Sequence, residues 1–102
     1  MKDEKIVITG IGIIAPQAIG KDLFWDAIKE GKSGINRITH FDTSSFKSKN
    51  AGFNPDFKPE DILGQKGLRE LDRTSKLLCS ASKLALDDSH ITVTPENTDE
   101  FG

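Results

Sequence analysis

A lone cysteine, two histidines, a glycine-rich turn and a run of basic side chains are the residues of this chain whose types and spacing could do chemistry. Cys79 could attack an acyl group if a nearby base or cation lowered its pKa. It lies in a helical pattern among Leu77, Leu78 and Ala81, whereas reactive thiols sit at helix N-termini or beside cations, so a packing role is expected. His40 and His90 stand in separate polar contexts fifty residues apart, with nothing in the spacing to pair them as a base or to build a metal set. No catalytic group and no metal site is therefore expected in the chain, nor condensing activity of its own.

Gly10-Ile11-Gly12-Ile13-Ile14-Ala15 fits a loose form of the dinucleotide-binding fingerprint, G-x-G-x-x-A, in which a helix N-terminus holds a pyrophosphate. Pro16 follows at once and pushes its predecessor away from helical angles, just where the fingerprint needs a helix. The acid wanted about 20 residues on falls at Glu30, on a predicted helix end. A strand closed by a tight glycine turn is expected instead, with no bound cofactor. Lys66, Arg69, Arg73 and Lys76 recur at intervals of three, four and three, and on one continuous helix they would form a basic stripe broken little by Glu70 and Asp72. Such a face suits an acidic or phosphate-bearing partner. The competing reading is a solvated charged face, the ordinary meaning of a charge run.

The elements that must position these groups are few. With 102 residues there is room for one small domain. Lys5–Gly12, KIVITGIG, predicts a buried strand. The LFWDAIKEG run predicts an amphipathic helix, with Asp22 as cap, Phe24, Ala27 and Ile28 on one face and Gly31 at the left-handed stop. Trp25, Phe24 and Ile28 are expected to bury against Ile6–Ile8. Residues 32–54 read as a long surface connection with one edge strand near Ala51–Phe53. Pro59 to Gly64 predicts one or two helical turns. Residues 69–88 predict the longest helix, its face marked by Leu71, Leu78, Ala81 and Ala85. Leu77 and Leu84 fall close to the face of Lys66, which leaves a break near Asp72 open. Pro95-Glu96-Asn97 predicts a turn.

Composition narrows the function classes. Fourteen basic and sixteen acidic residues give a net charge of −2, so no general footprint for nucleic acid exists and a charge-driven partner must use a local patch. One cysteine excludes an internal disulfide framework and a thiolate zinc site. The N-terminal MKDEKIVITG has neither a signal-peptide apolar region nor a membrane span, so a cytoplasmic location is expected.

Taken in order, VITGIG, then AP, FWDAIKEGKSGI, ITHFDTSSF, KSKNAGF and LDRTSKLLCSASKLALDDS resemble the N-terminus of β-ketoacyl-acyl-carrier-protein synthases over essentially the whole chain. TGIGIIAP, GKSGI, HFD followed by Thr43, and LDRTSKL are the most specific pieces. Fatty-acid condensing enzymes and the ketosynthases of type II polyketide pathways share them, and Ala18-Ile19-Gly20 after Pro16 leans to the latter. The resemblance implies an α/β fold, the N-terminal fragment of a thiolase-like αβαβα layered architecture, with residues 1–102 as the first part of a larger ketosynthase domain. It implies a ping-pong, decarboxylative Claisen condensation through an acyl-cysteine, with malonyl carrier as extender and no cofactor. It implies two kinds of partner, a phosphopantetheine-bearing acyl carrier protein, and a second subunit in a homodimer or a ketosynthase/chain-length-factor heterodimer. The family's nucleophile and catalytic histidines have no counterpart here, and Cys79 and His40 match ordinary positions. Lys66 and Arg69 match basic positions that the family uses to hold the carrier, Arg73 less closely, and Glu70 departs where a basic residue is common. A non-catalytic chain-length factor and an independent small scaffold or carrier-docking module are the alternatives.

Overall fold

The computed structural model describes residues 3–101. Two short hairpins and three helices carry the chain. β1 (Ile14–Ala15) and β2 (Ala18–Ile19) pair antiparallel across Pro16-Gln17, in register Ile14 with Ile19 and Ala15 with Ala18. The Gly20 amide closes this hairpin by donating to the Ile13 carbonyl at 2.8 Å. β3 (Ile35–Arg37) pairs antiparallel with β4 (Asn50–Gly52). The edge strand expected near Ala51 is β4, and its partner β3 adjoins a glycine-serine stretch too polar to signal a strand.

α1 (Lys21–Lys29) packs on β2 and ends at Gly31 with φ +70°, as its sequence predicts. Asp22 lies inside the first turn rather than capping it, and Gly20 takes the cap position. α2 (Pro59–Leu63) runs from the proline to Gly64, again as expected. The long basic-apolar segment is interrupted: a 3-10 turn at Leu68–Glu70 precedes α3 (Arg73–Ser89). Asp72 makes the break, because its carboxylate accepts the Ser75 amide at 2.7 Å and caps the new helix. His90, in the left-handed conformation at φ +59°, ends it.

The N-terminal run departs from expectation. Residues 3–13 belong to no strand, and Ile6, Val7 and Ile8 are 99%, 70% and 84% exposed. A strand exists only through a ladder, and this segment pairs with neither hairpin. Trp25 and Ile28 consequently have no strand to cover and lie 61% and 47% exposed, while Ala27 is the residue that α1 buries.

What the segment does instead is lie against α3. A side-chain carbon on Gly10 would meet the Ala85 carbonyl oxygen at 2.2 Å, and one on Gly12 would meet the Ala81 carbonyl oxygen at 1.9 Å. Backbone thus rests directly on the helix, above Ala81, Ala85 and Ser89, which stand four residues apart on one α3 face. Asp88 fastens the contact. Its carboxylate accepts the Ile11 amide at 2.9 Å and pairs with Lys21 Nζ at 2.5 Å, joining segment, α1 and α3. The Lys21 hydrogen bond is the main cause that holds the Asp88 carboxyl below its ordinary value, and Asp88 in turn raises Lys21.

A second close approach centres on Pro16. A Cβ on buried Gly34 would sit 2.5 Å from the proline Cβ, and one on Gly52 would sit 2.9 Å from its Cγ. The Asn54 side-chain amide adds a hydrogen bond to the Ala15 carbonyl at 3.0 Å, tying β4's exit to β1. Buried apolar side chains among the described residues are few: Ala18, Ala27 and Phe57. The radius of gyration is 17.6 Å, against about 13 Å for a compact chain of this length.

Candidate functional site

The basic residues do not form one helical stripe. Lys66 lies in the turn after α2, Arg69 in the 3-10 turn, and Arg73 and Lys76 in the first turns of α3. Half-buried Leu68 and Leu71 anchor the junction from inside, leaving Lys66 and Arg69 exposed. Among the described residues neither makes an ion pair or a side-chain hydrogen bond. Residues 66–76 hold four basic and two acidic side chains, a local surplus of two positive charges in a chain of net −2.

Arg73 is differently placed. Its guanidinium stands 5.3 Å from the centre of the Phe53 ring and 6.0 Å from that of Phe57. It lines a cleft of about 170 Å³ with Pro16, Phe53, Phe57 and Leu77. This cation is held by aromatic faces at the joint between β4, α2 and α3. The helix break at Asp72 separates it from Arg69, so the two share no turn of helix. Asp72 is kept ionised to a lower pH than usual, chiefly by the Ser75 amide it accepts.

The other candidates stay apart. Cys79 is half-buried in mid-α3, away from either helix end. His40 is exposed in the loop between β3 and β4, stacked on Phe53 at 4.7 Å, and His90 is the α3 end cap. Among the described residues no group of three His, Cys, Asp or Glu side chains could hold a metal, and no helix is long and apolar enough to cross a membrane. The glycine run at 10–15 leads into the β1–β2 hairpin, not into a helix, so the helix N-terminus that a pyrophosphate would need is missing.

Sequence reasoning missed three positioning groups. Asp88, the last residue of the predicted long helix, gave no sign in the sequence of the contact it makes with Ile11 and Lys21. Lys49 draws the loop between β3 and β4 together by donating to the carbonyls of Thr43 and Phe46. Asp42 bonds the amide and hydroxyl of Ser44, which lowers its pKa, the amide bond first, and makes the turn of the HFD-Thr motif. Only the last had a local signal, an Asp two residues before a serine.

Comparison with known proteins decides what this arrangement belongs to. The family profile described as β-ketoacyl synthase, N-terminal domain, matches residues 3–102. The chain belongs to the β-ketoacyl synthase family. It is 34% identical over 102 residues to 3-oxoacyl-[acyl-carrier-protein] synthase 2 of Vibrio harveyi, covering all of this chain and 25% of that protein. It is 38% identical over 89 residues to an oxytetracycline-polyketide β-ketoacyl synthase of Streptomyces rimosus, covering 86% of this chain and 21% of the relative. In three dimensions it resembles the ishigamide ketosynthase/chain length factor with TM-score 0.76 and 31% identity, over 84% of this chain and 21% of the other. The α/β, thiolase-like fold class expected from the sequence is thereby established. The chain spans about a quarter of the length of the relatives it matches, and the family profile it matches describes an N-terminal domain.

Proposed function

We propose that these 102 residues are the N-terminal portion of a ketosynthase domain and that they contribute scaffold and a docking surface for an acyl carrier protein. The chemistry of the whole domain is then an acyl transfer. A cysteine thiolate outside these residues takes the acyl group from a carrier thioester, with release of the carrier thiol. Malonyl carrier loses carbon dioxide, and the resulting carbanion displaces that cysteine to give a β-ketoacyl carrier. Carrier delivery is the step to which this chain's own residues contribute.

The observation that carries the reading is the pairing of Lys66 and Arg69: exposed, without an ion-pair partner among the described residues, on a junction anchored by Leu68 and Leu71. Carrier proteins are acidic, so two unengaged cations would speed encounter through long-range attraction and then hold the partner by charge-assisted hydrogen bonds. Arg73 enters as support for the joint, since its guanidinium already faces Phe53 and Phe57. Membership of a chain-length-factor subunit is the second reading, favoured by the likeness to the ishigamide ketosynthase/chain length factor. A cysteine on a strand-to-helix turn in the rest of the protein separates the two.

The test is titration of the chain with an acyl carrier protein at several salt concentrations, for wild type and for Lys66→Glu with Arg69→Glu. Affinity that falls with salt in wild type and is lost in the double variant supports docking. Binding unaffected by both the reversal and the salt would leave these residues a solvated face.

A further inference from the structure

The loop between β3 and β4 is knotted by a cation that makes no ion pair among the described residues. Lys49 Nζ donates to the carbonyls of Thr43, a buried residue, and Phe46, and the Lys49 carbonyl accepts the Ile38 amide at 2.8 Å where the hairpin opens. One ammonium thus holds a turn that no helix or sheet supports. A row of rings leads away from this knot. Phe46 meets Phe41 edge-on at 6.0 Å, Phe41 meets His40 edge-on at 4.9 Å, and His40 stacks on Phe53 at 4.7 Å with 24° between the planes. Phe53 is the lining residue common to two clefts, one of about 300 Å³ that contains His40 and the one of about 170 Å³ that contains Arg73. Its ring therefore stands between the imidazole and the Arg73 guanidinium, which lies 5.3 Å from the ring centre.

We propose that the Lys49 knot is a positioning device for the carrier-docking cations, acting through His40, Phe53 and Arg73; in this it rests on the docking assignment of Lys66 and Arg69. The last link is main chain. Arg73 opens α3, and the backbone from Gly67 to Lys76 is bonded in two abutting turns. In the first, the Glu70 amide donates to Gly67 at 3.3 Å and the Leu71 amide to Leu68 at 3.1 Å. In the second, the Ser75 amide donates to the Asp72 carboxylate at 2.7 Å and the Lys76 amide to the Asp72 carbonyl at 2.9 Å. Arg69 sits within the first turn and Arg73 within the second, so a guanidinium that leaves Phe53 frees the start of α3 and the turn joined to it. The Phe53 ring is the element with two arrangements, clasped between His40 and Arg73 or released from both. The loop that holds His40 in place decides between them. Every link is a contact within the chain, so none depends on what else covers these surfaces.

A ring-current signature tests it. The Nε proton of Arg73, beside an aromatic face, resonates upfield of its free position, and Phe53→Leu supplies the value without that ring. Lys49→Met keeps the stem and removes the ammonium. It should carry the Arg73 resonance toward the Phe53→Leu value, shift the Arg69 and Glu70 amides, and weaken binding of an acyl carrier protein by about 2- to 30-fold. Lys49→Arg, which keeps the charge and the donors, should restore all three in large part. Circular dichroism and exchange of the Ile11 amide, bonded to Asp88 at the other end of α3, report an intact fold. If Lys49→Met does not fold, Phe41→Leu cuts the row of rings beside His40 and gives the same three readouts. Unmoved Arg73 and Arg69 resonances in a variant whose Thr43 and Phe46 amides have shifted overturn the coupling. Moved resonances with carrier affinity held within about twofold overturn the positioning role. Absence of carrier binding by the wild type overturns the docking assignment instead, and the resonances then decide the coupling alone.

Discussion

Substituting Gly12 by alanine should undock the N-terminal segment from α3. The new methyl would lie 1.9 Å from the Ala81 carbonyl oxygen and 2.6 Å from the Ala85 nitrogen. Both are main-chain atoms of a helix and cannot rotate away. To restore an ordinary contact of 3.4 Å the segment must retreat by about 1.5 Å, a displacement of the kind that costs about 1–3 kcal/mol when a packed site is overfilled. Alanine also restricts the unfolded chain, which returns about 0.4–1 kcal/mol. A net loss of about 1–2 kcal/mol remains, a factor of roughly 5–30 in the docked-to-undocked ratio.

The Ile11 amide reports this directly, because its hydrogen bond to Asp88 exists only when the segment is docked. Hydrogen exchange at Ile11 should therefore accelerate by that factor in Gly12→Ala, while amides in the middle of α3 keep their rates. Ala81→Gly should not rescue the variant, since the clash is with the Ala81 carbonyl rather than its methyl. Unchanged exchange at Ile11, or rescue by Ala81→Gly, would refute the reasoning that main chain packs on main chain here.

Three further outcomes follow from single interactions. Arg73→Ala removes a guanidinium facing two rings and should destabilise the chain by about 1 kcal/mol, seen as a lower urea midpoint with carrier affinity less affected than by changes at Lys66 and Arg69. Ser80 is fully buried and its hydroxyl finds no partner, so Ser80→Ala should be neutral or stabilising by about 1 kcal/mol in the same assay. Asp42, Asp72 and Asp88 all have folded-state values below the ordinary 3.8, so their contributions are fully present above that value and disappear as pH falls through the lowered ones. Helicity measured from pH 7 to pH 2 should drop in that window, and Asp72→Asn, which keeps a capping oxygen without the titration, should blunt the loss from α3. Lys21, raised by Asp88, works the other way: its share holds below 10.5 and is lost at higher pH.

How much could be read from the residues depended on whether a signal was local. The stop of α1 and both ends of α2 were legible because Gly31, Pro59 and Gly64 act through their own backbone angles, whereas the expected Asp22 cap of α1 gave way to Gly20. Asp72 was legible as a point of conflict between the leucine face and the basic face, and the structure resolves that conflict by starting α3 there. The KIVIT run was misread as a formed strand because β-branched composition reports what a segment suits, whereas pairing depends on a partner that composition does not contain. Trp25 followed it into error. The basic residues were legible as a set but not as a surface: spacing assumed one helix, and the break assigns Arg73 to aromatic rings that lie 16 and 20 residues before it in the chain.

That division also explains why the family is so much easier to identify from this chain than its activity. TGIGIIAP puts Gly10 and Gly12 where only a hydrogen fits between backbone and α3, and Pro16 where it fills the space left by Gly34 and Gly52. GKSGI supplies that Gly34, and LDRTSKL supplies the Asp72 cap and the Arg73 clamp. Each recognisable motif thus contains a steric or capping requirement of one local fold, met at Gly10, Gly12, Gly34 and Asp72. Lys66 and Arg69 meet no such limit, because among the described residues their charged ends make no polar contact. On the docking proposal, changing their charge should alter carrier affinity while leaving the unfolding midpoint within about 0.5 kcal/mol of wild type. A larger loss of stability in Lys66→Glu with Arg69→Glu would mean that these side chains support the α2–α3 junction, and the docking assignment would fall with it.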